Sequence, residues 1–556
     1  MRKILLVLAG LLWAVTSLLA QTNHTVKGKV TDESGIGLPG VSVSLPGGKT
    51  GTVTDSKGEF SLSVPETTKS LRASFVGYES QTMAIKGGSV GNIVLLPDAK
   101  AISEVVVVGY GTQRKKDVTG SIVSIKGGAV SELPVASFEA GLGGRAAGVQ
   151  ITVPNGIVNN PPVFRIRGAN SISMSAYPLI VIDGVPTFSG DVGSTNAPLN
   201  PLASVNPSDI ASIDIGKDAA ATAIYGSRAA NGVVFITTKK GKAGRPKVSY
   251  DGWVGSTKPT RLPQVLNSAQ YLEIKNEGLK NAGSTDVYVP NQDASGKTID
   301  TKWMDVVYRE KAVSQSHSVN VSGGTESTSY YFSGGYTQQQ GILKRNEFAR
   351  KNLLFNIDQQ LGKAFSIGAR INYSNEQSLI SGSSGSLEGE AFNSGGLARL
   401  AFLTSPLVAP RNDDGTYNVS GSGLGGGKNK LPIGIYNPLV LLDLDHSNTE
   451  ANHIQGNIYL QVKPFSWMTL RTQYGADYIL LNNDIYQNNI SGDAVASQGD
   501  VTSAYSQYKR WVWTNTIQLD RSFGKHNLSF LAGSEQQRDA RERYGLERQK
   551  QMDNYF

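Results

Sequence analysis

Residues 218–241 read DAAATAIYGSRAANGVVFITTKKG. Asp218 precedes an alanine-rich run, and an acid in a first turn offsets the positive end of a helix dipole. The spacing therefore predicts a helix that carries Tyr225 and stops at Gly226, where glycine enters a left-handed cap without a Cβ clash. Arg228 follows, and Asn231-Gly232 is a turn signal. Val233-Val234-Phe235-Ile236-Thr237-Thr238 is a short β-branched run with the look of a buried strand. Lys239, Lys240 and Gly241 end it. Local physics gives a helix–turn–strand unit.

Working outward, the chain of 556 residues is too long for one ordinary domain. It contains no cysteine, which excludes disulfide scaffolds, Cys-ligated zinc, iron–sulfur clusters and thiol catalysis. The net charge of +8 is spread along the chain. The basic cluster Arg114-Lys115-Lys116 is short and adjoins Asp117, so no tract suits a nucleic-acid backbone. At the start, Arg2-Lys3, the apolar run Ile4 to Leu12 and Ser17-Leu18-Leu19-Ala20 read as a signal peptide over residues 1–20. No later stretch offers the roughly 20 consecutive apolar residues of a membrane helix. An exported chain can still cross a membrane as a barrel.

From 24 to 98, short strands alternate with turns. VKGKVTD, GLPGVSVSL, TDSKGEFSLSVP and LRASFVGYES occur in that order, and about seven strands suit a small sandwich. Next comes Glu104-Val105-Val106-Val107-Val108-Gly109-Tyr110-Gly111, within a segment spanning 102–111. Its valines suit either a buried strand or an extended segment that adds to a partner's sheet edge. Further on, Val135 to Ala147 reads as a short helix broken by glycines. Val149 to Thr152, Val163 to Gly168 (with Arg165 and Arg167) and Leu179 to Val185 (with Asp183 and Gly184) read as strands.

Beyond 247, alternation takes over. Phe365, Ile367, Ala369, Ile371 and Tyr373 fall on one side of a strand, and Ser366, Gly368, Arg370 and Asn372 on the other. Met468 to Asp477, Ile454 to Val462, Leu353 to Ile357 and Leu528 to Phe530 repeat the scheme. Strands of about 9–11 residues, apolar outward and polar inward, mark a transmembrane barrel wall. Trp467, Trp511 and Trp513 near strand ends suit interfacial girdles. Asn267 to Ala282 reads as a helix, and Ser381 to Asn448 as a long Gly/Ser/Asn-rich loop. Glu542 to Phe556 is polar and is not expected to form an alternating strand.

Four pieces, GRAAGVQIT (144–152), FRIRGANS (164–171), PLIVIDGVP (178–186) and the opening stretch, resemble the plug of SusC/RagA-type TonB-dependent outer-membrane transporters. Residues 24–98 resemble the carboxypeptidase-regulatory-like module that precedes such plugs. The resemblance implies a mainly β protein. An Ig-like, carboxypeptidase-regulatory-like sandwich comes first, then an α+β plug over 117–241, then part of an antiparallel barrel over 247–556. It places a TonB box at 104–111 and makes a buried plug arginine such as Arg165 or Arg167 a candidate partner for wall acids. Gly168, Asp183, Gly184, Asp218, Tyr225, Gly226, Arg228, Asn231 and Gly232 are the other plug positions carried over. About nine wall strands are legible, against about 22 in plugged transporters, so the chain is expected to match only the N-terminal portion.

No enzyme is expected. None of the five histidines has a glutamate three residues on, so the His-x-x-Glu pair of a zinc carboxypeptidase is missing. Residues 87–91 match the hydrolase elbow and residues 421–426 the dinucleotide pattern, both without the strand–helix context that would give them meaning. No cofactor or metal is expected. By resemblance the partners are TonB with its inner-membrane complex, a SusD-like lipoprotein, outer-membrane lipid and an oligosaccharide or peptide, at the outer membrane of a Bacteroidota-like Gram-negative cell. The rival readings are a surface glycan-binding or adhesion protein that transports nothing, and an inactive truncated remnant.

Overall fold

In the computed structural model, residues 23–551 are described apart from short internal stretches, the longest being 97–104, 382–395 and 426–434. The signal-peptide reading, Glu104, Gly109, Tyr110 and the terminal Phe556 lie outside the described residues. The chain divides into two units. One comprises the described residues up to Val106 with 113–114, and the other comprises 107–112 with 118–556.

The first unit holds strands β1 (Asn23–Thr31), β2 (Ser42–Ser44), β3 (Gly51–Val53), β4 (Glu59–Pro65), β5 (Ser70–Ser74), β6 (Gln81–Ala84) and β7 (Ser89–Val94). They form two sheets, ordered β4-β1-β7 and β3-β2-β5-β6. Along β4, Phe60, Leu62 and Val64 point into a core shared with Val26, Val43, Leu71 and Ile93, while the intervening residues face solvent. The turn before β4 is tied by Asp55, whose Oδ1 accepts from the amides of Lys57 and Glu59 at 2.9 and 2.8 Å. These donors favour the ionised form, so the Asp55 carboxyl titrates below its usual range.

Strands β8 (Val105–Val108) and β9 (Gly111–Arg114) pair with each other and, among the described residues, join no other sheet. The plug sheet follows. Its strands are β10 (Ile122–Lys126), β13 (Leu179–Ile182), β14 (Val185–Thr187), β15 (Ile210–Gly216) and β16 (Val233–Thr238), in the order β10-β15-β16-β13-β14. β16, the strand of the opening stretch, is central. Val234 and Ile236 enter one core with Ile180, Ile213 and Phe164, while Val233 and Phe235 pack on the other face with Tyr225 and Val181. Burial on both faces is why its sequence does not alternate. A separate hairpin pairs β11 (Val149–Thr152) with β12 (Val163–Ile166).

The local readings of the plug need two corrections. The helix expected after Asp218 falls in part on 219–221, outside the described residues; beyond them Ala223–Ala229 forms short 3₁₀ turns kinked at Gly226 (φ 60°, ψ −146°), which is not the left-handed cap conformation expected there. Asp218 Oδ2 accepts from the Ser121 amide at 2.6 Å. Val135 to Ala147 is one 3₁₀ turn, Ala140–Leu142, amid irregular chain, because Gly141, Gly143 and Gly144 destabilise a helix interior. The helix in this region is α1 (Gly127–Ser131), earlier in the chain.

The wall is a nine-stranded antiparallel sheet: β17 (Gly244–Thr257), β18 (Ala312–Gly324), β19 (Thr328–Gln340), β20 (Glu347–Leu361), β21 (Phe365–Ile380), β24 (His446–Phe465), β25 (Met468–Gln487), β26 (Asp500–Phe523) and β27 (His526–Gln549). It is open, with β17 and β27 at its edges. Phe365, Ile367 and Ile371 are exposed on its outer face, with Ile367 opposite Leu460 and Ile371 opposite Phe355, whereas Arg370 and Asn372 are buried on the inner face. The strands run to 24 residues, well beyond the expected length. Glu542–Gln549, not expected to be a strand, continues β27 because every residue is paired with β26.

The stretch 381–448 is also more ordered than expected. It holds α4 (Leu397–Leu403), the two-residue strands β22 (Val419–Ser420) and β23 (Gly423–Leu424), and α5 (Pro438–Leu444), after α2 (Ser268–Asn281) and α3 (Trp303–Val307) earlier in the chain. Buried Trp303 organises this layer, packing with Leu400 and Leu441 and donating from Nε1 to Ser405 O at 2.9 Å. α2 is opened by a capping box, Asn267 with Gln270.

Candidate functional site

The plug lies against the inner, polar face of the wall, and three of the plug segments in contact with it are 183–184, 187–192 and 200–209. Asp183 (φ 49°) and Gly184 (φ 85°) form a two-residue turn joining β13 to β14. Asp-Gly suits such a turn because both residues must take positive φ. The Asp183 carboxylate accepts from the Thr238 amide and hydroxyl at 3.1 and 2.6 Å, which fixes the tip to β16. Its carbonyl accepts from wall Asn457 at 3.0 Å. A Cβ on Gly184 would lie 2.9 Å from Gln473 Nε2, and one on wall Gly475 would meet Val185 at 2.6 Å. The two backbones approach because neither position carries a side chain.

Just beyond, wall Asp477 is fully buried. Its Oδ2 accepts from the Thr187 hydroxyl at 2.6 Å and the Phe188 amide at 2.8 Å, and its Oδ1 is 2.5 Å from His453 Nε2. Val192 O then accepts from Tyr508 at 2.9 Å. Here the wall's polar-inward rule lapses: Ile479 and Leu481 point inward and pack on Val192 and Leu199.

The third segment is Asn200–Asp209, two 3₁₀ turns opened by Asn200 and Asn206. Buried Arg350 of β20 donates to Ala203 O at 2.6 Å, and Tyr331 donates to Asp209 Oδ1 at 2.9 Å. Burial pushes the Asp209 carboxyl above its ordinary range. Glu139, which accepts from Asn200 Nδ2 at 3.0 Å, is raised for the same reason.

The sign of the Glu139 effect sets a prediction. A carboxyl raised by burial favours the folded state while protonated, and that advantage is lost as pH rises through its folded pKa. Glu139→Gln is expected to raise the thermal midpoint at pH 8 and to give no gain at pH 4. Equal shifts at both pH values would exclude an ionised Glu139 as the cause.

The carried-over residues divide by what they touch. Arg165 is half-buried and Arg167 exposed, and neither forms an ion pair among the described residues. The buried-arginine pairing for which they are candidates is not formed among the described residues. Arg167 and Gly168 instead form a positive-φ turn (59° and 96°). The plug arginine that reaches a wall acid is Arg228, with Glu535 at 2.6 Å and Gln537 beside it. Tyr225 packs on Phe235, and Asn231 Nδ2 donates to Ser175 O at 2.8 Å. Gly232 (φ 90°) sits where a Cβ would meet Ile166 at 2.7 Å. Asp477, Arg350 and His453 were missed as site residues; their trace in the sequence is the inward phase of the wall strands, as with Arg350, Asn352 and Asn356 on β20. Asn206 and Asp209 lie in the plug, where no strand phase marks them. Among the described residues, no group of three or more His, Cys, Asp or Glu side chains could hold a metal ion.

Comparison with known proteins agrees with this geometry. Residues 26–108 match the CarboxypepD_reg-like domain, and residues 114–233 match the TonB-dependent Receptor Plug Domain. TonB-dependent receptor P3 of Formosa agariphila is 31% identical over 512 residues, 91% of this chain and 47% of that protein. TonB-dependent receptor SusC of Bacteroides thetaiotaomicron is 32% identical over 574 residues, 100% of this chain and 54% of SusC. The chain thus spans about half the length of the curated relatives it matches. Among solved structures, the RagAB peptide importer in its open-open state shares the fold, with TM-score 0.65 and 23% identity over 80% of this chain and 50% of that one. Sandwich, plug, open β-wall and these relatives together make the chain a member of the SusC/RagA-like TonB-dependent receptors.

Proposed function

We propose that the protein serves nutrient import across an outer membrane, as the plug and part of the wall of a TonB-dependent transporter. The observation that carries this reading is the seating of the plug on the wall's inner face through Asp183, Thr187 and Asn206–Asp209. Such a plug closes a lumen until something displaces it. In this reading residues 1–20 direct export, 24–98 form an accessory sandwich, 104–111 are the TonB-binding segment, 117–241 the plug and 247–556 the wall. Among the described residues β8 pairs with β9 alone, which supports the segment's role, because a strand outside the larger sheets is available to a partner's edge. The cargo is a bulky oligosaccharide or peptide, covered by a SusD-like lipoprotein and passed through without chemical change. The peptide alternative rests on the fold shared with the RagAB peptide importer.

The test is uptake of labelled oligosaccharides and peptides by cells expressing the full-length gene, with and without a protonophore. Uptake that collapses with the protonophore while surface binding persists supports import. Binding with no uptake in either state would favour the adhesion reading.

A further inference from the structure

A cleft of about 430 Å³ lies between the plug and the ends of β17–β19, a volume within the roughly 300–1,000 Å³ range of small-ligand sites. Val153, Ile157 and Pro162 line it from the plug, with Trp253, Gln339 and Gln340 from the wall. Trp253 lies on the inward face of β17, in register with inward Ser316 and Thr337. Every described residue of the lining is uncharged.

One residue of the lining stands out. Asn159 is 6% exposed, and neither Oδ1 nor Nδ2 of its amide has a hydrogen-bond partner. Its φ is +65°, uncommon for a residue with a side chain. The segment is held there from the wall. Asn346 accepts from the Val158 amide at 3.2 Å and donates to Gly156 O at 3.0 Å, clamping the backbone just before Asn159. A buried, unsatisfied amide costs stability. Holding one rigidly at the wall of a cleft is the arrangement of a preorganised binding group.

Resting on the import reading, we propose that this cleft binds an uncharged sugar segment of the cargo, with Asn159 as the residue that reads it. A sugar hydroxyl is both donor and acceptor, so it can satisfy both ends of the Asn159 amide and of Gln339. The apolar face of a pyranose suits Trp253 and the valine and proline surface opposite. A free peptide would bring terminal charges into a lining with no counter-charge, and an unpaired buried charge is costly.

The experiment uses detergent-purified full-length protein on an array of neutral oligosaccharides, uronate-bearing oligosaccharides and short peptides, both free and end-capped. Binding confined to neutral glycans, and weakened about tenfold by Asn159→Gly, is the expected result; that is the loss of one well-placed hydrogen-bonding group. Glycine keeps the positive φ, so the backbone is preserved, and the thermal midpoint checks folding. Trp253→Phe is expected to weaken the same ligands less. Binding only to peptides or uronates, no binding at all, or neutral-glycan binding unchanged in Asn159→Gly would overturn the proposal. The import reading fails separately: glycan binding that depends on Asn159, in cells showing no energised uptake, would leave the cleft standing and remove transport.

Discussion

Replacing Val106 and Val108 with proline is expected to reduce energised uptake to the level of protonophore-treated cells, with binding at the cell surface unchanged. Proline has no amide hydrogen and fixes φ near −65°, so each substitution removes a ladder bond and restricts the backbone before it. Alternate residues of a strand present their N–H groups to one edge, so this pair removes one edge of β8 as a docking surface. The companion variant, Val105 and Val107 to proline, attacks the other edge. If the segment is the proposed TonB-binding strand, the more damaging pair identifies the edge used. The plug sheet begins at Ile122, so neither pair touches its ladder. Uptake at normal rates in both variants, or undiminished cross-linking to TonB, would remove the segment from the mechanism.

The second large effect is expected at Asp477. Alanine there deprives the Thr187 hydroxyl, the Phe188 amide and His453 of their acceptor in a fully buried site. Breaking a buried pair from one side costs roughly 3–5 kcal/mol. Because two of the three partners belong to the plug and one to the wall, part of that loss falls on plug seating. The expected readouts are a lower thermal midpoint and entry of large antibiotics that the outer membrane normally excludes. Asp477→Asn keeps an acceptor oxygen but not the charge opposite His453, so it should fall between alanine and the native residue. Unchanged permeability in Asp477→Ala would mean that the plug is held elsewhere.

The architecture was legible where the surroundings of a strand are uniform. β16 is buried on both faces and reads as a continuous apolar run; β21 divides lipid from lumen and reads as strict alternation. Legibility failed where neither condition holds. Glu542–Gln549 has charges in both phases and is a strand because it continues the pairing with β26. α4 and α5 have seven residues each, too few to be stable alone, and exist because Trp303 gives them a core. The plug–wall bonds were the least legible part. Thr187 and Asp477 are 290 positions apart and Arg228 and Glu535 are 307 apart, so no local pattern couples them. Arg165 and Arg167 are candidates through the resemblance of 164–171 to a plug, whereas the arginine seen to reach an acid, Arg228, is the one the fold aims at β27.

The longest wall strands, β26 and β27, outreach the apolar belt of a membrane. Twenty-four residues at about 3.3 Å each extend roughly 80 Å, and a tilt near 40° leaves a height of roughly 60 Å, against an apolar belt of about 25 Å. More than half of that height therefore stands clear of the hydrocarbon. The first three wall strands, at 13 to 14 residues, have no such excess, so the rim of the wall is stepped: low along β17–β19 and high along β26 and β27.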